Sequence, residues 1–216
     1  MSDYSSVSTG RSRRTSGEAG RPEAGIASDA LVLACATRAE LRAARRAGAR
    51  AALVGLGASE LPEGPLVSFG LAGALRDDLP IGTVLDVTRI VDGDGAVLWS
   101  GAGLGVAGAQ PGTILAAEAI VDGADERRRL HARTGADAAD LESGPLARTG
   151  RLRGVLRAVS DTPERPLDGI AGGVTPEGGY NWPGLLRAFA RHPRAFVRSA
   201  FDARCALDRL ARSWQA

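Results

Sequence analysis

Residues 152–163 read Leu-Arg-Gly-Val-Leu-Arg-Ala-Val-Ser-Asp-Thr-Pro, and this stretch decides the fold class. The apolar residues up to Val159 form a short run that predicts a buried strand. Pro163 prevents direct continuation into a helix, so the strand ends at Ser160 and Asp161. Ligands of α/β sheets bind beyond the carboxyl ends of the strands, which makes Asp161 a candidate site residue.

Strands and helices alternate along the rest of the chain. The predicted strands are 30–35, 51–56, 66–69, 84–91, 97–99 and 113–121. The predicted helices are 37–47, 125–133 and 138–148, with two more in 183–214 that break at His192-Pro193. This alternation is typical of an α/β layer fold with a mainly parallel sheet. About ten residues join Leu56 to Leu66, which is short for a helical crossover. Either these two strands are not parallel neighbours, or a helix has been lost.

The chain is long enough for one domain with a sizeable core, at 216 residues. Residues 1–28 are rich in Ser, Gly, Arg and Thr and almost free of apolar residues, which predicts a disordered leader. We therefore expect a single domain over residues 29–216. It ends in basic amphipathic helices over 183–214, and a Gly- and Pro-rich loop precedes them.

Composition excludes several classes of function. All 27 basic residues are arginine, so Schiff-base catalysis by lysine and a phosphate-binding P-loop lysine are excluded. A net charge of +2 gives no reason to expect a nucleic-acid partner. Cys35 and Cys205 form neither a disulfide framework nor a metal-binding spacing, which indicates two buried thiols in a reducing compartment. With no secretory signal and no apolar run of ~20 residues, we expect a cytoplasmic protein.

Two other patterns are rejected as functional motifs. Gly103, Gly105 and Gly108 match the spacing of a dinucleotide-binding loop, but a Pro-Gly pair follows at 111–112, where the phosphate-binding helix would begin. A flexible loop is the better interpretation. Neither His131 nor His192 has another potential ligand at metal-binding spacing, so we expect no metal and no cofactor.

Four features remain as candidates, each with a purely structural alternative. Asp161 could act as a general acid, because an apolar surrounding raises a carboxyl pKa, or it could cap a turn. Glu40 stands three residues after Thr37 and could simply complete a helix capping box. Gly70–Gly73 reads as a small-residue turn that lets a ligand approach the backbone, or as tight packing. Glu142 falls in the predicted helix 138–148, where a lone glutamate normally faces solvent.

Taken together, these motifs resemble the purine nucleoside phosphorylase and nucleosidase superfamily over roughly residues 30–165. The matching segments are Ala-Thr-Arg-Ala-Glu40, Ser68-Phe-Gly-Leu-Ala-Gly73, Asp140-Leu-Glu-Ser143 and Arg157-Ala-Val-Ser-Asp161. The Arg/Ala/Leu-rich tail is similar to the hopanoid-associated branch, which is linked to the release of adenine from adenosylhopane. For mechanism, the comparison is with methylthioadenosine/adenosylhomocysteine nucleosidases.

The resemblance implies a three-layer α/β fold with a central mixed, mainly parallel sheet. It also implies a nucleoside substrate, water or phosphate as co-substrate, and a homo-oligomer. Asp161 stands where the family places the acid that protonates purine N7, and Glu40 where an acid orients the attacking water. Glu142 stands where a carboxylate binds the ribose hydroxyls, with Leu141 in place of the usual methionine.

The remaining matched positions are expected to contact the substrate. They are Gly70, Ala72 and Gly73 near the anomeric carbon, and Ser160 beside the acid. Ala74 departs from the family, which usually has a second glycine there. The sequence leaves open whether water or phosphate is the nucleophile, and whether the chain only binds purines without turnover. It also leaves open whether helices 183–214 contact an anionic membrane surface or simply pack on the sheet.

Overall fold

The computed structural model of the chain describes residues 31–166, 173, 175–179 and 181–215. The predicted leader and most of the Gly- and Pro-rich loop lie outside these residues. The strands are β1 (Val32–Cys35), β2 (Ala51–Leu53), β3 (Leu66–Ala74), β4 (Val84–Val91), β5 (Val97–Ser100), β6 (Gln110–Ala116), β7 (Ala138–Asp140) and β8 (Leu152–Asp161). The helices are α1 (Arg38–Arg46), α2 (Ala124–Thr134), α3 (Ser143–Arg148), α4 (Trp182–Arg191) and α5 (Pro193–Gln215).

All eight strands join one mixed sheet, in the order β2-β1-β3-β7-β6-β4-β5, and β8 pairs with both β3 and β4. Most of the strand pairs are parallel; β3–β7, β4–β5 and β4–β8 are antiparallel. Because β7 and β6 also connect β3 to β4, the strands β3, β8, β4, β6 and β7 close a ring. The predicted fold class, an α/β fold around a mixed, mainly parallel sheet, is confirmed.

Helices cover both faces of the sheet. On one face, α1 and α5 pack over β1, β3 and β8, with a core that includes Leu33, Phe69 and Leu207. On the other face, α3 packs over β3, β4 and β6, and Leu146 is its buried residue in that core. Aliphatic side chains fill most of both cores, as the low aromatic content of 4% requires.

The short connection between β2 and β3 has a topological explanation. Both strands pair with β1, which lies between them, so they are not neighbours. β2 also ends earlier than predicted, at Leu53, because its neighbour β1 ends at Cys35. Likewise β6 stops at Ala116, opposite the last residue of β7, and the chain continues as a loop.

The predicted helix over 138–148 is wrong. Residues 138–140 form β7, which bridges β3 and β6, and the helix begins only at Ser143. Pro145 explains this boundary, since proline in a helix interior clashes with the carbonyl four residues earlier and is tolerated in the first turn. Leu141 and Glu142 therefore lie in the turn between β7 and α3.

The predicted turn at Gly70–Gly73 is also wrong. β3 continues through these residues to Ala74 and pairs with β8 along its length. Neither glycine has a positive φ angle, so conformation does not explain them. Both are explained by side chains that lie against the strand at these two positions.

The glycine-rich loop at 103–108 is confirmed as a loop, and its organising residue is Asp86 on β4. The buried carboxylate accepts hydrogen bonds from the backbone N–H groups of Leu104, Gly105 and Val106 at 2.7–3.4 Å. The Asp86 carboxylate thus already accepts hydrogen bonds from the backbone N–H groups that would bind a phosphate, so this loop is not a nucleotide site.

The C-terminal helices break at His192, as predicted. The end of α5 packs on the sheet, whereas several large apolar residues of α4 and early α5 are exposed. Within the described residues, no helix has the length and apolarity needed to cross a bilayer. Cys35 is buried, and burial raises the pKa of its thiol well above the usual range. Cys205 is only half-buried, so the prediction of two buried thiols holds for one.

We expect Asp86→Ala to destabilise the fold by about 2 kcal/mol, because it leaves buried backbone donors without an acceptor. Chemical denaturation measures this loss, and hydrogen exchange should show faster opening of residues 104–106. Asp94→Ala, at an exposed aspartate of the β4–β5 hairpin, is the matched control and should change little. Equal stabilities of the two variants would contradict the assigned role of Asp86.

Candidate active site

A cavity of about 260 Å³ opens at the carboxyl ends of β1, β3 and β8. The first turn of α1, the turn after β7 and the loop after β6 complete its wall. Its lining includes Glu40, Ala72, Gly73, Leu141, Glu142, Ser160 and Asp161, all predicted from the sequence. Gly70 lies beside the cavity on β3, against the Glu40 side chain. The structure therefore brings all the predicted site residues together.

Glu40 completes the capping box and also reaches the cavity wall. Its Oε2 accepts two hydrogen bonds from Thr37, one from the backbone N–H at 2.8 Å and one from the side-chain hydroxyl at 3.0 Å, which completes the capping box. Its Oε1 accepts a hydrogen bond from the backbone N–H of Leu71 on β3 at 2.8 Å. The buried carboxylate is thus fixed between α1 and β3, at the cavity wall.

Arg157 is the central charge beneath the cavity. It is fully buried on β8, and its Nε donates to Asp140 Oδ2 at 2.6 Å. Its Nη2 donates to the Ser68 hydroxyl at 2.7 Å and lies 3.5 Å from Glu142 Oε2. Burial opposes the charged form, but the surrounding carboxylates outweigh it and raise the pKa of Arg157.

One part of Arg157 has no hydrogen-bond partner among the described residues. Its Nη1 is buried and unsatisfied. A Cβ added to Gly70 would collide with both this atom and Glu40 Oε1, so the two groups lie over the same glycine. Gly70 therefore makes room for a carboxylate and a free N–H donor side by side.

Glu142 is a buried carboxyl group in the turn after β7, not a solvent-facing helical residue. Burial raises its pKa to about 8; Arg157 opposes this shift, and the neighbouring Asp140 and Glu40 carboxylates add to it. Asp140 is the closer partner of Arg157, which explains why that cation does not keep Glu142 ionised. At neutral pH Glu142 can both donate and accept a hydrogen bond.

Asp161 is the last residue of β8, four residues after Arg157. Its Oδ1 accepts a hydrogen bond from the Ser160 hydroxyl at 2.6 Å. The turn that follows is closed by backbone hydrogen bonds between Thr162 and Arg165, without the Asp161 carboxylate. The alternative in which Asp161 only caps this turn is therefore wrong.

Arg127 of α2 is a site residue that the sequence analysis missed. Its side chain is 2% exposed, and Nη2 lies 2.5 Å from Asp161 Oδ2. It occurs in a run of three arginines at 127–129, of which only the first is buried. Leu130 and Thr134 follow at helical spacing on the same face, which was the available signal.

The arrangement places buried acids at two ends of one cavity, with an arginine near each end. The part of the chain that the structure describes has no group of three His, Cys, Asp or Glu residues arranged to hold a metal ion. Acid–base chemistry is what these side chains can supply directly.

The raised pKa of Glu142 predicts a pH-dependent stability. In the unfolded chain the Glu142 carboxyl group has an ordinary pKa of 4.5, so it loses its proton at lower pH than in the folded state. The resulting stability is complete below that value and is lost as pH rises toward about 8, by at most ~1.4 kcal/mol per unit. Glu142→Gln removes this contribution, so its unfolding free energy should decline less than that of the wild type between pH 5 and 8. Parallel stability curves for the two proteins would contradict the assignment.

No family model and no curated protein matches the chain. Solved structures do match its fold. The 5′-methylthioadenosine/S-adenosylhomocysteine nucleosidase of Helicobacter pylori, in complex with a pyrrolopyrimidine compound, is 14% identical, with a TM-score of 0.54 over 85% of this chain and 94% of that one. The futalosine hydrolase of Helicobacter pylori is 13% identical, with a TM-score of 0.55 over the same shares. The Helicobacter pylori nucleosidase with butyl-thio-DADMe-Immucillin-A is 15% identical, with a TM-score of 0.53 and again 85% and 94% coverage. The chain therefore has a fold like that of these nucleosidases.

Proposed function

We propose that the protein cleaves the N-glycosidic bond of a purine nucleoside. The observation that carries this proposal is the grouping of four buried carboxyl groups around one cavity: Asp140, which Arg157 holds, and Glu40, Glu142 and Asp161. Breaking an N-glycosidic bond builds positive charge on the sugar and negative charge on the departing base. Acids at separate points of one cavity match this separation of charge.

Asp161 is the proposed general acid. The Asp161 carboxylate, which is ion-paired with Arg127 in the structure, first takes a proton from water. That proton passes to N7 of the purine while the bond between the sugar C1′ and the base N9 breaks, and the bonding electrons leave with the base. Ser160 orients the carboxyl group through its hydroxyl. Glu142 is the proposed partner of the ribose hydroxyls, since a neutral carboxyl group can donate to one oxygen and accept from another.

Water is the proposed nucleophile. Glu40 lines the cavity, so its carboxylate can accept a hydrogen bond from a water molecule held there. As its oxygen attacks C1′, its proton moves to Glu40. Phosphorolysis is the alternative, but Arg38 and Arg42 of α1 are exposed and do not line the cavity.

The proposed substrate is a 5′-substituted adenosine that releases adenine. The Helicobacter pylori nucleosidase named above was solved with a 4-amino-pyrrolopyrimidine compound that carries a propynylthio group. Apolar residues form much of the remaining cavity wall, which favours an apolar 5′ substituent; they include Leu56, Leu71, Leu75 and Ile120. Methylthioadenosine-type and adenosylhopane-type nucleosides both meet this description.

The decisive assay measures adenine released from 5′-methylthioadenosine and other 5′-substituted adenosines, with and without phosphate. We expect release without phosphate. Asp161→Asn and Glu40→Gln should each lower kcat/KM by ~10²–10⁴-fold, because each removes a proton-transfer group. Arg42→Gln, at an exposed position of the same helix as Glu40, is the control and should retain activity.

Other outcomes of this assay separate the alternatives. An absolute phosphate requirement would make the enzyme a phosphorylase. Tight binding of adenine, with no product from any of the nucleosides, would make the chain a binding protein without turnover. Near-normal turnover by Asp161→Asn would remove Asp161 from the acid role.

We also propose that the surface of α4 and early α5 contacts an anionic lipid surface. Leu186, Phe189, Val197 and Phe201 are exposed there by 46–66%. Seven arginines and two aspartates lie in residues 183–216, and both aspartates, Asp202 and Asp208, already pair with arginines outside the segment. Exposed apolar side chains beside unbalanced positive charge are typical of helices that bind anionic membranes. A second copy of the same face would bring like charges together.

Vesicle flotation tests this contact with the full chain. We expect binding to phosphatidylglycerol vesicles that weakens with salt, and little binding to phosphatidylcholine vesicles. Leu186→Ser with Phe201→Ser should reduce flotation, whereas Val97→Ser, at an exposed residue of β5, should not. Self-association through this face, seen as a loss of dimer in the double variant without any lipid binding, would contradict the proposal.

A further inference from the structure

Arg127 makes two hydrogen bonds and one ion pair at the cavity. Its Nε donates to the carbonyl of Val121 at 2.9 Å, and its Nη1 donates to the carbonyl of Ala74 at 3.2 Å. Its Nη2 forms the ion pair with Asp161. The guanidinium thus connects the loop after β6, the end of β3 and the proposed general acid.

Anchoring the loop does not explain why Asp161 lies where it does. The rigid, planar guanidinium fixes the direction of Nη2 once Nε and Nη1 hold the two carbonyls, but those two bonds do not bring a carboxylate to Nη2. Asp161 Oδ2 lies against Nη2, and a Cβ on Gly73 would be 2.8 Å from that oxygen and 3.2 Å from Arg127 Nη1. A glycine in the strand interior is therefore needed to admit this pair. Buried ion pairs contribute little net stability, so stability alone is weak grounds for such a pair.

The acid step supplies a reason for it. When the Asp161 O–H bond breaks and the proton moves to the purine, the electron pair of that bond remains on the carboxylate. The new anion is buried, with its side chain 4% exposed, so solvent can stabilise it little. Arginine keeps its charge at any accessible pH, so Arg127 provides a fixed counter-charge beside that oxygen.

We infer that Arg127 is a positioning residue for the departure of the base: it holds Asp161 and stabilises the carboxylate left after proton transfer. This inference rests on the proposed function. It assigns to α2 a part in the reaction, acting through Asp161 and not through contact with the sugar or the nucleophile. Its effect should therefore depend on whether the leaving group needs a proton.

Two substrates with the same sugar separate this role from a structural one. The first is 5′-methylthioadenosine, whose base departs with a proton from Asp161. The second is the 4-nitrophenyl glycoside of 5-methylthioribose, whose leaving group departs as a stable phenolate and needs no proton. We expect Arg127→Met to lower kcat on the nucleoside by ~10²-fold, and to lower kcat on the glycoside much less. Arg129→Met, an exposed arginine of the same helix, should leave both rates unchanged.

A double variant adds a second test. If Arg127 acts through Asp161, adding Arg127→Met to Asp161→Asn should lower the nucleoside rate little further. Both substrates are measured on one preparation, so partial unfolding would lower both rates together and leave their ratio unchanged. An unchanged ratio, or fully additive losses, would overturn the inference. If the wild type cleaved neither the nucleoside nor the glycoside, the proposed function would be overturned instead.

Discussion

The buried charge of Arg157 is the constraint on which the site depends. Arginine cannot lose its proton in a protein, so a guanidinium at the centre of the sheet has to be neutralised by acids brought to it. Asp140 supplies the close contact, Ser68 a hydrogen bond, and Glu142 a weaker charge contact. Burial raises the pKa of Glu142, and Arg157, which is held closer to Asp140, does not offset that rise. Nη1 has no hydrogen-bond partner among the described residues. The same packing that neutralises the cation thus leaves a carboxyl group with a raised pKa and an unused donor.

Strand-end reasoning predicted much of this site from the sequence. Asp161 was identified because an apolar run stops there before a proline, and Glu40 because a capping box follows the first strand. Those patterns are local, and the structure preserves them. The errors came where tertiary contacts override local preference. Residues 138–140, two alanines and an aspartate, have no local reason to be a strand, and they become one by filling the space between β3 and β6.

The arginines show the other limit of the sequence. Arg127 and its two neighbours are chemically identical, and only the orientation of α2 buries the first of them. Arg157 offered a stronger signal, since a charged residue inside an apolar strand must have buried partners. Its partners come from β3 and from the end of β7, and no spacing in the sequence connects those positions to it. Gly70 and Gly73 of β3 could not be explained from the sequence either, because the side chains that lie against them come from α1, α2 and β8.

The ring of five strands has a consequence for how the chain acquires its site. β8 is the last of the described strands to be synthesised, yet it joins β3 and β4, which begin some 86 and 68 residues earlier at Leu66 and Val84. Until it inserts, both of those strands present an open edge, which is the usual starting point for pairing between chains. Contacts of such long sequence separation also form slowly. Since Arg157 and Asp161 are both carried by this strand, closure of the ring and assembly of the site are one and the same folding event.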